Sequence, residues 1–208
     1  FEGNSLEYQG VGGALDASGT VTVVDSEFRR NTATSSAGAV YVRSTGTLEA
    51  YISRFYGNSA GLYGGGVYAD FASTLVASSV FVGNTASIGG GALYLTGTAT
   101  VDGGTFAYNQ SDDAQSDVSM APGMILSNAL LIEDTVGPGA EVNYAVTHQD
   151  LTGQGEENYI ATVTVVGTPS SGGDGTWGTD DDDYGDVRPA AGTYVVNAGS
   201  NTYIPADT

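Results

Sequence analysis

Carboxylates are the commonest chemistry-bearing side chains of this sequence, with 24 Asp and Glu against 5 Lys and Arg. Their densest run is Asp180-Asp-Asp-Asp183-Tyr-Gly-Asp186. Hard cations such as Ca²⁺ are held by alternating oxygen ligands around a glycine-mediated turn, which makes Asp181, Asp183 and Asp186 candidate calcium ligands. The run lacks the regular continuation and terminal Glu of an EF-hand loop, so a solvated acidic loop is the competing reading. Asp112 and Asp113 form a second acid pair, of the kind general acid–base hydrolysis uses, and its plain alternative is again a solvated loop. The one histidine, His148, lies in a weakly patterned segment. None of these patterns requires a cofactor, and calcium is the only one they suggest.

Other chemistries are excluded by composition. All five cations are Arg and the chain has neither Lys nor Cys, so Schiff-base chemistry, a P-loop lysine, lysine isopeptide bonds, disulfides and thiolate nucleophiles are out of reach. A net charge of -19 with so few cations also excludes a phosphate-backbone binder, so no nucleic-acid partner is expected. The charge is uneven, net -3 over residues 1–100 and net -16 over 101–208, which favours solubility and cation binding in the distal half. Apolar runs such as Ala129 to Ile132 are far shorter than a membrane helix, so no transmembrane segment is expected. Residue 1 is Phe and an acid follows it, which is no secretory signal; a secreted product is expected in a mature or trimmed form.

These groups are positioned by a repeat. Phe-x-x-Asn occurs at Phe1/Asn4, Phe28/Asn31, Phe55/Asn58, Phe81/Asn84 and Phe106/Asn109, at intervals of 27, 27, 26 and 25 residues. A glycine-led motif lies between them at Gly13 to Ala17, Gly38 to Val42, Gly65 to Ala69 and Gly91 to Leu95. Alternating segments follow at Gly19 to Val23, Gly46 to Ile52, Ser73 to Ala77 and Gly97 to Val101. Three short strands per period of about 26 residues, with Gly and Asn corners and no room for a helix, predict an all-β parallel β-solenoid whose coils stack at strand spacing. Residues 1–109 are the regular repeats. Residues 110–208 continue as irregular coils, with strands near 124–134, 141–146 and 159–166, an acidic loop over 167–186 and closing strands at 193–196 and 202–204.

Alternation assigns the faces. In the glycine-led motif Leu15, Val40, Val67 and Leu93 point inward, as do Ala17, Val42, Ala69 and Leu95. Between them Asp16, Tyr41, Tyr68 and Tyr94 point outward, so the three tyrosines are a candidate aromatic strip for a sugar or a protein, or else a self-stacking ladder that stiffens the tube. In the next segment Val21/Val23, Leu48/Ala50/Ile52, Leu75/Ala77 and Ala99/Val101 are expected inside, leaving an outer column of Thr20, Thr47, Thr74 and Thr98. Phe1, Phe28, Phe55, Phe81 and Phe106 are expected to stack inside the bore. Asn4, Asn31, Asn58, Asn84 and Asn109 are expected at a corner, where Asn tolerates the left-handed conformation and each amide can bond the next. Gly13, Gly38, Gly65 and Gly91 mark another corner that needs positive φ or close backbone approach.

Phe81-Val-Gly-Asn84 paired with Gly90-Gly-Ala-Leu93 resembles the repeats of polymorphic outer-membrane proteins and of bacterial adhesin-like proteins with a right-handed parallel β-helix. The stretch from Asp183 to Asn201 is similar to the closing segment of large secreted repeat proteins of that fold. The resemblance implies a right-handed β-helix at an extracellular or cell-surface location, with a structural, adhesive or sugar-related role; it does not imply an enzyme, and a non-enzymatic protein is expected. The enzymes of this fold are mostly pectate lyases, which need calcium-binding acids beside a proton-abstracting Arg or Lys, and polygalacturonases, whose Asn-Thr-Asp, Gly-His-Gly and Arg-Ile-Lys patterns this sequence lacks. Solenoids cover their open end edges, yet residue 1 is already a repeat Phe. The leading expectation is therefore a building block of a surface fibre or filament, docking through its first coil on another copy, end to end, or on the rest of a longer adhesin. A polysaccharide-binding or polysaccharide-cleaving β-helix is the alternative.

Overall fold

A computed structural model describes all residues except 8, 9, 113–115, 148, 150, 152, 153, 156, 157, 161, 162 and 191–208. Asp113, His148 and both expected closing strands lie outside the described residues. The rest is built of strands and turns, with no helix among the described residues. The fold is a parallel β-solenoid of about five regular turns.

Each turn has four sides rather than the expected three. The tyrosine sheet stacks Leu15–Ala17, Val40–Val42, Val67–Ala69, Leu93–Leu95 and Val118–Met120. The threonine sheet stacks Thr20–Val24, Thr47–Tyr51, Ser73–Ala77, Thr98–Asp102, Ile125–Ser127 and Glu141–Asn143. The phenylalanine sheet runs from Glu27–Arg29 through Arg54–Tyr56, Val80–Val82, Thr105–Ala107 and Leu130–Ile132 to Val146–Thr147 and Tyr159–Ile160. The fourth side is a ladder of two-residue strands directly after each Asn: Ser5–Leu6, Thr32–Ala33, Ser59–Ala60, Thr85–Ala86 and Gln110–Ser111. Two residues are too few to show a period of two, which is why alternation does not reveal that side.

Phenylalanine rings fill the bore. Phe28, Phe55, Phe81 and Phe106 are fully buried, and successive rings from Phe1 onward stack with centroids 4.8, 5.0, 4.5 and 5.1 Å apart and planes within 11°. That spacing is the interstrand spacing of the sheet they stand on, so each ring buries both faces on its neighbours. Asn31, Asn58, Asn84 and Asn109 are buried too. Each accepts, on its side-chain oxygen, the backbone N–H and the amide N–H of the Asn one rung before, at 2.8 to 3.1 Å, and donates its own amide back to the preceding rung's Phe carbonyl. The left-handed backbone expected of Asn belongs instead to the residue before it: Gly3, Arg30, Gly57, Gly83 and Tyr108. The second glycine column is explained by close approach, since a Cβ at Gly38 would collide with the Gly65 carbonyl.

One register differs from the alternation reading. Thr47 pairs with Ser73, and Leu48 with Thr74, so Thr74 points inward between Leu48 and Ala99 while Leu75 faces out beside Glu49. The corner before this strand has three residues, Asp70 to Ala72, where the previous turn has four, Arg43 to Gly46. Losing one residue there shifts the strand by one position, so each side chain of Ser73–Ala77 takes the opposite face from the one alternation suggests. Thr74 is only 4% exposed and its hydroxyl has no hydrogen-bond partner. Ile52, expected inside, sits at a corner with φ 52° and is 53% exposed.

Candidate functional site

Tyr41, Tyr68 and Tyr94 occupy one outward column at three successive rungs, exactly paired in register with Asp16 before them and Ser119 after. Their centroids lie 5.3 and 5.2 Å apart, but the rings are inclined by 58° and 88°, so they form an edge-to-face cluster and not a flat strip. Edge-to-face contact matches the positive ring edge to the negative face of the next ring. Tyr63, from the neighbouring corner, joins the cluster 4.5 Å from Tyr94 and 6.1 Å from Tyr68. Tyr68 donates its hydroxyl to Asp70 at 3.2 Å, and Tyr41 donates to the other Asp70 oxygen at 3.4 Å. Arg43 lies over the Tyr41 ring at 5.3 Å and pairs with Asp16. Burial, and then the Asp70 charge, push the Tyr41 and Tyr68 phenols above their ordinary range. They are neutral donors at every physiological pH, suited to holding a polar ligand and unsuited to acting as bases.

The three candidate calcium ligands are not drawn together. Asp181 accepts from the Thr179 hydroxyl at 2.8 Å and the Gly173 N–H at 2.7 Å, and those bonds hold its pKa down. Asp183 accepts from the Gly185 N–H at 2.9 Å. Asp186 is paired with Arg188, which lowers its pKa to about 2. No group of three or more His, Cys, Asp or Glu side chains is close enough to hold a metal among the described residues. The acid that organises this loop is Asp182, which accepts from the Gly178 and Thr179 N–H groups and from the Tyr184 hydroxyl at 2.9 Å. As for the other acid pair, Asp112 is exposed and its partner is not described.

The acidic segment is also not simply solvated. Val165–Gly167 and Asp186–Pro189 form an antiparallel ribbon, and the loop between them lies on the outer face of the phenylalanine sheet. Trp177 and Tyr184 are buried there. Tyr184 stacks on Tyr56 at 5.1 Å with the Arg29 guanidinium 4.9 Å from its ring centroid, and Trp177 packs against Tyr184 at 5.8 Å and Tyr108 at 6.3 Å. Asp180 pairs with Arg30. The signal in the sequence was a lone Trp inside a Gly-rich run, which a solvated loop does not need.

Two buried acids carry no motif of their own because they stand where a repeat residue should be. Asp134 takes the place of the next ladder Asn and receives the Asn109 backbone N–H and amide on its two oxygens. It is wholly buried, and burial together with nearby Asp117 raises its pKa well above the carboxylate range. Asp117, also raised by burial, ties the Thr135 and Ser111 N–H groups together.

Residues 78–96 match the model of the Chlamydia polymorphic membrane protein (Chlamydia_PMP) repeat. No curated protein and no solved structure gives a significant match to the chain. The matched stretch contains Phe81, Asn84 and the glycine-led motif with Tyr94, so the similarity rests on the residues that build one rung.

Proposed function

We propose that this chain is a non-catalytic, surface-exposed, adhesin-like β-solenoid that serves as part of a fibre, its first rung docking on another rung. The observation that carries this reading is the unbroken pair of internal ladders, five Phe rings and five Asn amides in register, which devotes the repeat to a stiff tube. Similarity to a polymorphic membrane protein repeat supports the surface and adhesive part. The fibre part is supported by the polarity of the ladders, whose leading face any rung can present to the rung before it. Because every ladder Asn accepts from the rung before it, that face offers a ring and the Asn4 oxygen as acceptor. Its complement is a rung carrying a Phe ring and an amide donor, in a second copy or in the rest of a longer adhesin.

Sedimentation velocity over a wide concentration range, on the wild type and on Phe1→Asp, tests this. Association that the substitution abolishes is the expected result, and stable monomers at every concentration contradict the fibre reading. A second reading, saccharide contact, is favoured by the Tyr41–Tyr68–Asp70 cluster, which combines aromatic surface with a carboxylate acceptor. A screen against neutral and acidic glycans supports it if binding appears and is lost in Tyr68→Ala, and dismisses it if no glycan binds.

A further inference from the structure

In a solenoid each rung touches only its neighbours, so stability is a sum of local terms and the ends can fray independently. Contacts in this tube obey that rule, joining residues 25 to 27 apart along each ladder. Residues 163–190 break it. Their segment crosses the phenylalanine sheet along the tube axis and reaches Arg30, about 150 residues back in the chain.

The seat is made for it. Outward positions at the start of this sheet are charged, Glu27, Arg29 and Arg54, but beyond them one column reads Tyr56, Val82, Ala107 and Ile132 and the other, interrupted by Thr105, holds Val80, Leu130 and Val146. Those side chains form one apolar cluster with Val165, Trp177, Tyr184 and Val187. The wall also carries two notches. At the left-handed corner ahead of each ladder Asn, successive rungs place Arg30, Gly57, Gly83 and Tyr108. A Cβ at Gly83 would enter the Trp177 ring, and one at Gly57 would strike the Tyr184 hydroxyl. The flanking corners hold the same segment, Arg30 through Asp180 and the Thr179 carbonyl, and Tyr108 through the Trp177 ring. Four consecutive rungs are thus gripped at equivalent positions.

We propose that residues 163–190 are a clasp that makes these rungs unfold as one unit, with Trp177 and Tyr184 plugging the notches left by Gly57 and Gly83. The clasp adds to nearest-neighbour coupling a tie across several rungs, in a molecule that has no disulfide to supply one.

The chain has a single Trp, so its fluorescence reports clasp docking directly while far-ultraviolet circular dichroism reports the tube. In urea the wild type is expected to lose both signals at one midpoint. Tyr184→Ala keeps the reporter and removes the Tyr56 stack; its Trp transition is expected to move below the circular dichroism transition. Hydrogen-exchange protection of the Glu27–Arg29 and Arg54–Tyr56 amides is expected to fall on the order of tenfold. Should that variant fail to fold, Tyr184→Leu retains apolar bulk and is expected to shift the same amides in the same direction by less. A wild type whose Trp signal is lost well before the tube melts, or a folded variant whose rung amides exchange as in the wild type, overturns the proposal.

Discussion

Rungs up to Asn109 and the coils beyond it share one plan and differ in the two columns that matter most. In the first region the bore repeats Phe over Phe, and the polar ladder repeats Asn over Asn. In the second, Leu131 pairs with Phe106 and Asp134 receives the ladder from Asn109. An amide both accepts from the rung before and donates back to a carbonyl, so it can continue indefinitely. A carboxylate can only accept, and when buried without a cation it is driven toward its neutral form. The difference teaches that regularity here is enforced by hydrogen-bond bookkeeping inside the tube, and that it ends where one residue type loses its donor.

Breaking the regular region should have the largest effect. Phe81→Ala removes a ring stacked on both faces and is expected to lower unfolding stability by about 4 kcal/mol in urea titrations. Leu131→Ala, outside the stack, should cost less, and equal losses would refute the distinction between the two columns.

Repairing the ladder sharpens the same contrast. Asp134→Asn restores an amide that can donate to the Phe106 carbonyl, and is expected to stabilise the chain by about 2 kcal/mol at pH 7. The sign follows from the pKa directions. Asp134 and Asp117 have folded-state values raised by burial, so their contribution is complete below the ordinary carboxyl range and is lost as pH rises through the raised values. Asp181 and Asp186, held low by the Thr179 hydroxyl and by Arg188, act oppositely: their contribution is present above the ordinary range and is lost as pH falls through the lowered values. The wild type is therefore expected to gain stability between pH 7 and about 5, and Asp134→Asn to flatten that slope. A slope unchanged by the substitution would mean that Asp134 is not the titrating group.

The smallest effect concerns a flaw within the regular region. Thr74→Val replaces an unpartnered buried hydroxyl by a methyl of the same shape and is expected to raise stability by about 1 kcal/mol in the same titrations. Destabilisation would place Thr74 on the outer face.

Much of this was legible in the residues themselves. Large, chemically distinct markers such as Phe and Asn fix their own phase, and a bulky ring every 25 to 27 residues has one economical stacking. The Tyr column was readable because Asp16 shares it. The fourth side was not, since Thr32–Ala33 and its counterparts are too short to show alternation. Nor was the slip at Asp70 to Ala72, because Thr and Leu are tolerated on either face of a strand and one deleted residue leaves the composition unchanged. The clasp was hidden for a different reason. Its Gly and Asp residues read as solvent-seeking, while the partners of Trp177 and Tyr184 are glycines, whose contribution is the absence of a side chain.

Register is the claim on which the ladders, the tyrosine face and the seat of the clasp all depend. With no native Cys, paired cysteines and a short thiol crosslinker read it directly. Glu49→Cys with Leu75→Cys places both thiols outward on directly paired strands and is expected to crosslink efficiently, whereas Glu49→Cys with Val76→Cys places them on opposite faces and is expected not to. Efficient crosslinking of the second pair and none of the first would contradict the account.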